Sequence, residues 1–491
     1  MKRLKKLSIL LAILVVVCVA AFCMNRYEER KEEIKNTDEV ILALNNDDVN
    51  ALSFSYSDTA LSFHKSEDGT WLYDEDAAFP VDSDMMDKLI SIFNSFGASF
   101  IIENVDDYSQ YGLDDPTCTI TLSTADIDYT VALGAYSTMD QKRYVSTGDG
   151  NVYLVSVDPF DTYKVTLPDM IKHDELPRLT EADSISFNGT IKNTMDDKSS
   201  TDNSSSSTDD NSSDVGTGDD IIIDYTIYQE AENTFTYCAD DIYFTNNKND
   251  GEDEILALDT SKVKSYLSTI GSVKHTDYVT YNASEEEITR YGLDTPELTI
   301  NVTYTATDDD NVKEEKSLKL DISTVDDKHY LRIDDSQIIY SLSDADYTSL
   351  TACSYDDLRH ADIFTADFAD VTRIDVGLEE FTYTFTTVKK DSRTTFYYND
   401  EEISIDDLKS ALSALSALSA DSFTDEEAAQ KEELSITLYL DNDAFSQTTI
   451  KLYRYDGSTC LATVDGKSVA LVPRSQTVDL IEAVNAVVLG K

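Results

Sequence analysis

Five histidines, six cysteines and 95 carboxylates are the residues of this 491-residue chain most able to do chemistry. Their spacing builds no familiar site. The histidines stand at 64, 173, 275, 329 and 360, so the nearest pair is 31 positions apart and no pair has metal-ligand spacing. There is no C-x-x-C, no G-x-S-x-G, no glycine-rich phosphate loop and no H-E-x-x-H. Ser261-x-x-Lys264 has the spacing of a serine–lysine nucleophile. It falls at the start of a predicted helix, where hydroxyl residues are ordinary. Asp308-Asp309-Asp310-Asn311 lies between predicted strands and reads as a solvated hairpin tip or a weak cation site. Carboxylate pairs abound only because carboxylates abound. The sequence therefore predicts no catalytic residue, no metal ligand and no cofactor, and the chain reads as a non-enzyme.

What the sequence does contain is repetition. Residues 110–116 read QYGLDDP and residues 290–296 read RYGLDTP. Ser284 and Glu287 have capping-box spacing, which starts a short helix that Gly292 ends in a left-handed conformation. Leu293 then folds back on Ile288, Asp294 suits a turn, and Pro296 bars further helix. Beyond it Leu298, Ile300 and Val302 alternate with polar residues as in a strand. Tyr111, Gly112, Leu113, Asp114 and Pro116 repeat the pattern of Tyr291, Gly292, Leu293, Asp294 and Pro296, with Leu113 reaching back to Tyr108. The motif is punctuation between a helical turn and a strand.

The flanks align as well. Leu89, Phe93 and Phe96 before Gly97 match Val263, Leu267 and Ile270 before Gly271, each set on one helix face with its glycine at the C′ place. The hairpin RYVSTGDGNVYLV at 143–155 matches HYLRIDDSQIIYSL at 329–342, with tight two-residue turns expected at Asp149-Gly150 and Asp335-Ser336. A third copy keeps the hairpin, STCLATVDGKSVALV at 458–472, the helix at 405–418 and the strand LSITLYL at 434–440. It has QKEE where YGLD would stand. Similar opening strands, at 51–54, 184–187 and 373–376, begin the copies. The expected fold is α+β: an N-terminal transmembrane helix, then three tandem repeat domains of mainly antiparallel sheet with packed helices. The expected boundaries are 1–36 for start, anchor and stalk, 37–178, 179–362 and a divergent 363–491.

Charge and composition narrow the function. The formal net charge of −56 repels phosphate backbones, which argues against nucleic acid as a partner. Hydrophobic residues at 41% suffice for real cores. Lys2, Arg3, Lys5 and Lys6 precede an uncharged run from Leu7 to Met24, long enough to span a bilayer with the basic end in the cytoplasm. A cleaved signal peptide is the rival, since Ala20-Ala21 could serve a peptidase; the run's length and the charged helical stalk after it favour an uncleaved anchor. Cys118 and Cys460 align with apolar or aromatic positions and read as core residues, while Cys238 and Cys353 have no visible partner. Residues 191–220, rich in Ser and Asp, read as a disordered insert.

One further correspondence joins Lys172 and His173 to Arg359 and His360, each pair ending a copy. These four residues read either as a basic contact for a partner or pH-sensitive joint, or as cations favoured by a helix C-terminus. The Y-G-L-D-x-P stretch, its following strand and the R/H-Y-V/L hairpin together resemble the bacterial family catalogued as domain of unknown function 4340. The resemblance covers 49–176 and 183–360 and weakens over 370–491, where the motif is absent. It implies an anchored extracytoplasmic body and no assigned activity. It also implies a partner, because members are often encoded beside exporter-type ABC transporters resembling gliding-motility auxiliary proteins. The expected function is thus a single-pass membrane-anchored binding or scaffold protein of the bacterial envelope, held outside the cytoplasm and assisting an ABC-transporter permease or another envelope protein. Rival readings are an envelope enzyme with an unrecognised site and a surface adhesin or wall-binding protein.

Overall fold

The structure, a computed structural model, describes residues 39–191, 220–247, 254–307, 311–378, 380–390, 393–403 and 405–489. The expected membrane anchor, Cys18 and Cys23, nearly all of the Ser/Asp-rich insert, and Asp308 to Asp310 lie outside the described residues. No helix among the described residues is long and apolar enough to cross a membrane.

Among the described residues three antiparallel sheets of nine strands each carry the fold, with a few helices, so the class is α+β with repeated sheet domains. The chain divides into two compact units, Met1–His173 and Asp174–Lys491. The first holds one sheet and the second holds two.

The same strand order recurs in each sheet. The opening strands are Val49–Tyr56, Ser184–Ile191 and Val371–Leu378. Each pairs on one side with the next strand in sequence, Thr59–Lys65, Ile221–Gln229 or Phe381–Lys390. On its other side it pairs with a strand much later in the repeat, Cys118–Thr124, Leu298–Thr307 or Glu432–Leu440. From there a three-strand meander runs outward, and its last strand pairs with the strand that follows the repeat helix; in the second and third sheets that strand is the edge, whereas in the first Phe96–Ile102 pairs onward with Glu39–Leu42. The register matches too. Leu52 faces Leu122 and Phe54 faces Ile120; Ile185 faces Val302 and Phe187 faces Ile300; Ile374 faces Leu438 and Val376 faces Ile436. All twelve side chains are buried, as the two-residue alternation of these strands requires.

The helices Ser83–Ser91, Thr260–Ile270 and Ile405–Ser416 bury one face in each core, through Leu89, through Val263 and Leu267, and through Leu408 and Leu415. Side-chain carboxylates of Asp82 and Asp259 cap the first two. Burying such an aliphatic side chain contributes about 1.5–3 kcal/mol, which outweighs the few tenths available from helix propensity.

Two sequence expectations need correction. Gly97 and Gly271 are not left-handed helix stops. Gly97 lies in strand Phe96–Ile102, paired with Val40. Gly271 is right-handed, with φ −71, and what it supplies is space: a Cβ there would sit 2.8 Å from the Pro177 carbonyl oxygen. The hairpins at Asp149-Gly150 and Asp335-Ser336 are not two-residue turns either. Their strands end at Ser146 and Ile333 and resume at Val152 and Ile339. The Asp149 carboxylate accepts from the Asn151 backbone N–H and the Tyr153 hydroxyl, which stabilises the wider loop. Only Asp465-Gly466 is tight, both residues having positive φ and flanked by the Val464–Lys467 pair.

The repeated motif behaves alike in both copies. Gly112 and Gly292 are left-handed, with φ 66 and 72. The N–H of Leu113 donates to the Tyr108 carbonyl and that of Leu293 to the Ile288 carbonyl. Substituting alanine should therefore destabilise the motif at either place, by about 1–2 kcal/mol for the left-handed backbone alone. Gly112→Ala should lose more, because its Cβ would meet the Ala135 backbone nitrogen at 3.0 Å, whereas at Gly292 the nearest atom is a Val325 methyl at 3.3 Å. Faster hydrogen exchange in Cys118–Thr124 and Leu298–Thr307 is the measurement; unchanged exchange in both variants would show that the turn does not secure these strands.

Candidate functional site

Two side chains close in sequence and a third 119 positions beyond them meet where the second repeat leads into the third, within the unit Asp174–Lys491. The first two come from the loop after Ile221–Gln229. Asn233 shapes that loop: its Oδ1 accepts from the backbone N–H groups of Phe235 and Thr236 at 2.9 and 3.1 Å, and its Nδ2 donates to the Cys238 carbonyl. The fold so fixed brings Cys238 beside Asp241. Thr236 Oγ1 donates to Asp241 Oδ2 at 2.8 Å. The strand that follows, Tyr243–Asn247, anchors the loop through fully buried Tyr243 and Phe244.

The third side chain arrives on the four-residue helix Tyr355–Leu358, which carries a Ser354/Asp357 capping box and is pinned by buried Leu358. Arg359 leaves the helix with an extended backbone, φ −76 and ψ 165, and this delivers His360 to Asp241. His360 Nε2 lies 2.7 Å from Asp241 Oδ1, and its Nδ1 lies 3.9 Å from Asp259 Oδ2. Asp259 is itself held as the cap of helix Thr260–Ile270.

The electrostatics follow from burial. The Asp241 side chain is only 2% exposed, so its carboxylate needs a partner. Burial by itself would lower the His360 pKa; the hydrogen bond to Asp241 and the charges of Asp241, Asp259 and Asp362 outweigh it and raise the pKa. Burial, with the Asp241 charge adding to it, pushes the Cys238 thiol up to about 12. The free thiol is therefore protonated at neutral pH and is a poor nucleophile.

Asp241 and His360 face a cavity of about 310 Å³. Phe423, Phe445 and Asp465 of the third repeat form its other wall. The Arg359 guanidinium is stacked between two rings, 5.0 Å from the Tyr355 centroid and 4.2 Å from that of Phe423. Tyr237 packs against the third repeat's core, with its ring 6.4 Å from Phe445. The site is thus built from both repeats. It offers one nitrogen, one oxygen and one sulfur donor close together, beside an aromatic and acidic recess.

Of the residues singled out from sequence, Arg359 and His360 line this recess. Lys172 is exposed, with its backbone N–H on the Pro80 carbonyl, and His173 is partly buried at the end of the first unit. Tyr111 packs on Tyr144 at 5.0 Å and Tyr291 on Tyr330 at 4.8 Å, both pairs tilted by 52°. Asp114 and Asp294 are exposed, and Pro116 and Pro296 lead into their strands. Ser261 and Lys264 form no dyad: Lys264 Nζ is bonded to Glu181 at 2.7 Å, and the helix cap is Asp259. From sequence Cys238 is only a cysteine with no visible partner, and Asp241 and Asp259 carry no pattern, because 119 positions separate Asp241 from His360. The cysteine beside a run of aspartates was the one visible signal. The four described cysteines are all free thiols.

The Arg359 stack should carry part of the coupling between the two repeats. Arg359→Ala and Phe423→Leu should each destabilise the unit, with a double-mutant coupling of about 0.5–1 kcal/mol. Thermal unfolding of the four-member set measures it, and strictly additive effects would remove the stack from the joint.

A scan of protein-family models matches the chain to a domain of unknown function (DUF4340) over residues 71–217 and 252–436, about two thirds of its length. Each matched stretch begins just before a repeat helix and runs through the meander and past the opening strand of the next repeat, the second as far as the strand Glu432–Leu440. Neither the curated proteins nor the solved structures provide a significant match. With a recurring sheet whose motif residues fall inside both matched stretches, the chain belongs to the DUF4340 family.

Proposed function

We propose that the chain is a membrane-anchored, extracytoplasmic binding or scaffold protein that assists an ABC-type transporter or another envelope complex. The observation that carries this reading is the N-terminal sequence, four basic residues followed by the uncharged run Leu7 to Met24, placed ahead of the repeated sheets. The basic residues stay in the cytoplasm and the sheets stand outside. Family membership supports the assignment, since the resemblance read from sequence implies an anchored body encoded near exporter-type transporters. The strong negative charge suits a role away from nucleic acid and anionic lipid headgroups. The joint between the second and third repeats supplies a recess lined by Tyr237, Tyr355, Phe423 and Arg359, residue types enriched at protein contacts. In this reading the protein holds a partner and turns over no substrate.

Crosslinking the full-length chain in its native membrane, with identification of the captured proteins, tests it. A permease or its ATPase should be recovered, and protease added to cells whose outer barrier has been opened should degrade the sheets. Capture of no transport or envelope protein would overturn the accessory role. Protection from external protease, in cells whose outer barrier has been opened, would overturn the topology.

A further inference from the structure

We infer that Cys238, Asp241 and His360 form a binding site for a divalent, borderline-soft metal ion, with zinc as the fitting one. The donors are the thiolate, carboxylate and imidazole groups that zinc takes in three-ligand sites. Their ligand atoms already lie within 4.8 Å of one another. A tetrahedral zinc site spaces its nitrogen and oxygen donors by about 3.3 Å and places sulfur slightly farther out. Closing the site therefore asks Asp241 and His360, now 2.7 Å apart, to part by roughly half an ångström, and Cys238 to move inward by about one.

The surroundings are those of a held ligand set. Asp241 has one oxygen on Thr236 and turns the other to the common point, as a monodentate ligand does. His360 offers Nε2 to that point, while its Nδ1 faces Asp259. A carboxylate behind the far nitrogen of a histidine fixes the ring and its tautomer in metal sites. Asp362 and Asp465 add negative charge to the cavity, and the nearest guanidinium, that of Arg359, is stacked on Tyr355 and Phe423. The fourth coordination position faces the cavity, open to water or to a donor atom from a partner. As the metal–sulfur bond forms, the thiol proton leaves to solvent. The ion would also tie the segment entering the third repeat to the loop of the second. This inference stands on the described residues and does not depend on the envelope assignment.

The test uses the full-length chain in detergent, stripped with a chelator and then loaded with zinc or, separately, cobalt(II). One ion per chain should remain after gel filtration, and cobalt should show a thiolate-to-metal charge-transfer band. Cys238→Ser should abolish that band, and both Cys238→Ser and His360→Ala should weaken zinc binding at least tenfold. Asp259→Asn should weaken it by about tenfold through loss of the outer contact. Cys353→Ser, which removes a buried thiol of the same unit outside the cluster, should leave both intact. No retained ion would overturn the inference, as would equal retention by the Cys238 and His360 variants, which would place the ion on surface carboxylates. A second measurement needs no variant: zinc should slow alkylation of Cys238 in the wild-type chain, and an unchanged rate would also overturn the site.

Discussion

The structure depends on one long-range pairing, made three times. Each opening strand must find a partner far along the chain: Leu52 pairs with Leu122, Ile185 with Val302 and Val376 with Ile436. Until that pairing forms, neither the opening hairpin nor the meander has a second face to bury against, and the repeat helix has no floor. Loop closure opposes the pairing, but only logarithmically with length. This explains how the second repeat accommodates the 29 residues 192–220 between the ends of its first hairpin, where the other two hairpins have two. Ile191 and Ile221 are already paired across the ladder, so the ends of the insertion are fixed before its length matters.

The third repeat shows that the pairing, and not the Y-G-L-D motif, is what the fold requires. Where the first two repeats stack Tyr111 on Tyr144 and Tyr291 on Tyr330, the third has Cys460 at the place of the second tyrosine and lacks the first. Polar tethers take over. Arg474 reaches Glu433 at 3.3 Å, Gln430 Nε2 donates to the Tyr455 carbonyl at 2.8 Å, and the Arg454 N–H donates to the Lys431 carbonyl at 3.0 Å. The closing helix Arg474–Val488 is 15 residues long, against four and eight in the other repeats, and buries Leu480 and Val484 in the core. A longer apolar face covers what the smaller cysteine leaves open.

Much of this was legible in the sequence because it is local or periodic. Alternation in Leu298, Ile300 and Val302 gives a strand with one buried face, and the glycine after Tyr291 gives a stop with φ above zero; no distant information is needed for either. The failures have the opposite character. Gly271 resembles a helix stop in sequence, but a neighbouring carbonyl decides its role, and that carbonyl is Pro177, far upstream. The Asp149-Gly150 pair permits a tight turn, yet its own aspartate side chain binds the loop into a wider one. The candidate site was least legible. His360 drew attention only through its match to His173, while its partners Asp241 and Asp259 are contributed by a loop and a helix cap with no shared pattern.

That distribution has a physical cause. Inside each repeat the sheet and its helix fill most of the core with their own apolar side chains, such as Leu267, Phe187 and Ile300, and a polar group there needs its own partners, as Asp321 has in Thr299 and Lys319. The junctions of a tandem array are favoured places for a recess, because two repeats meet there without either having to give up core volume. The joint of the second and third repeats is such a place. It collects a carboxylate buried to 2% exposure, an imidazole whose pKa that carboxylate and its neighbours raise, and a guanidinium sandwiched between rings. In a chain of net charge −56, an exposed carboxylate carries little information, but a buried one held from two sides does. Packing inside a repeat can be read from periodicity; the junction rests on a few residues with no period. The fold of this protein is therefore visible in its sequence, while its candidate site lies where the sequence has no pattern to show.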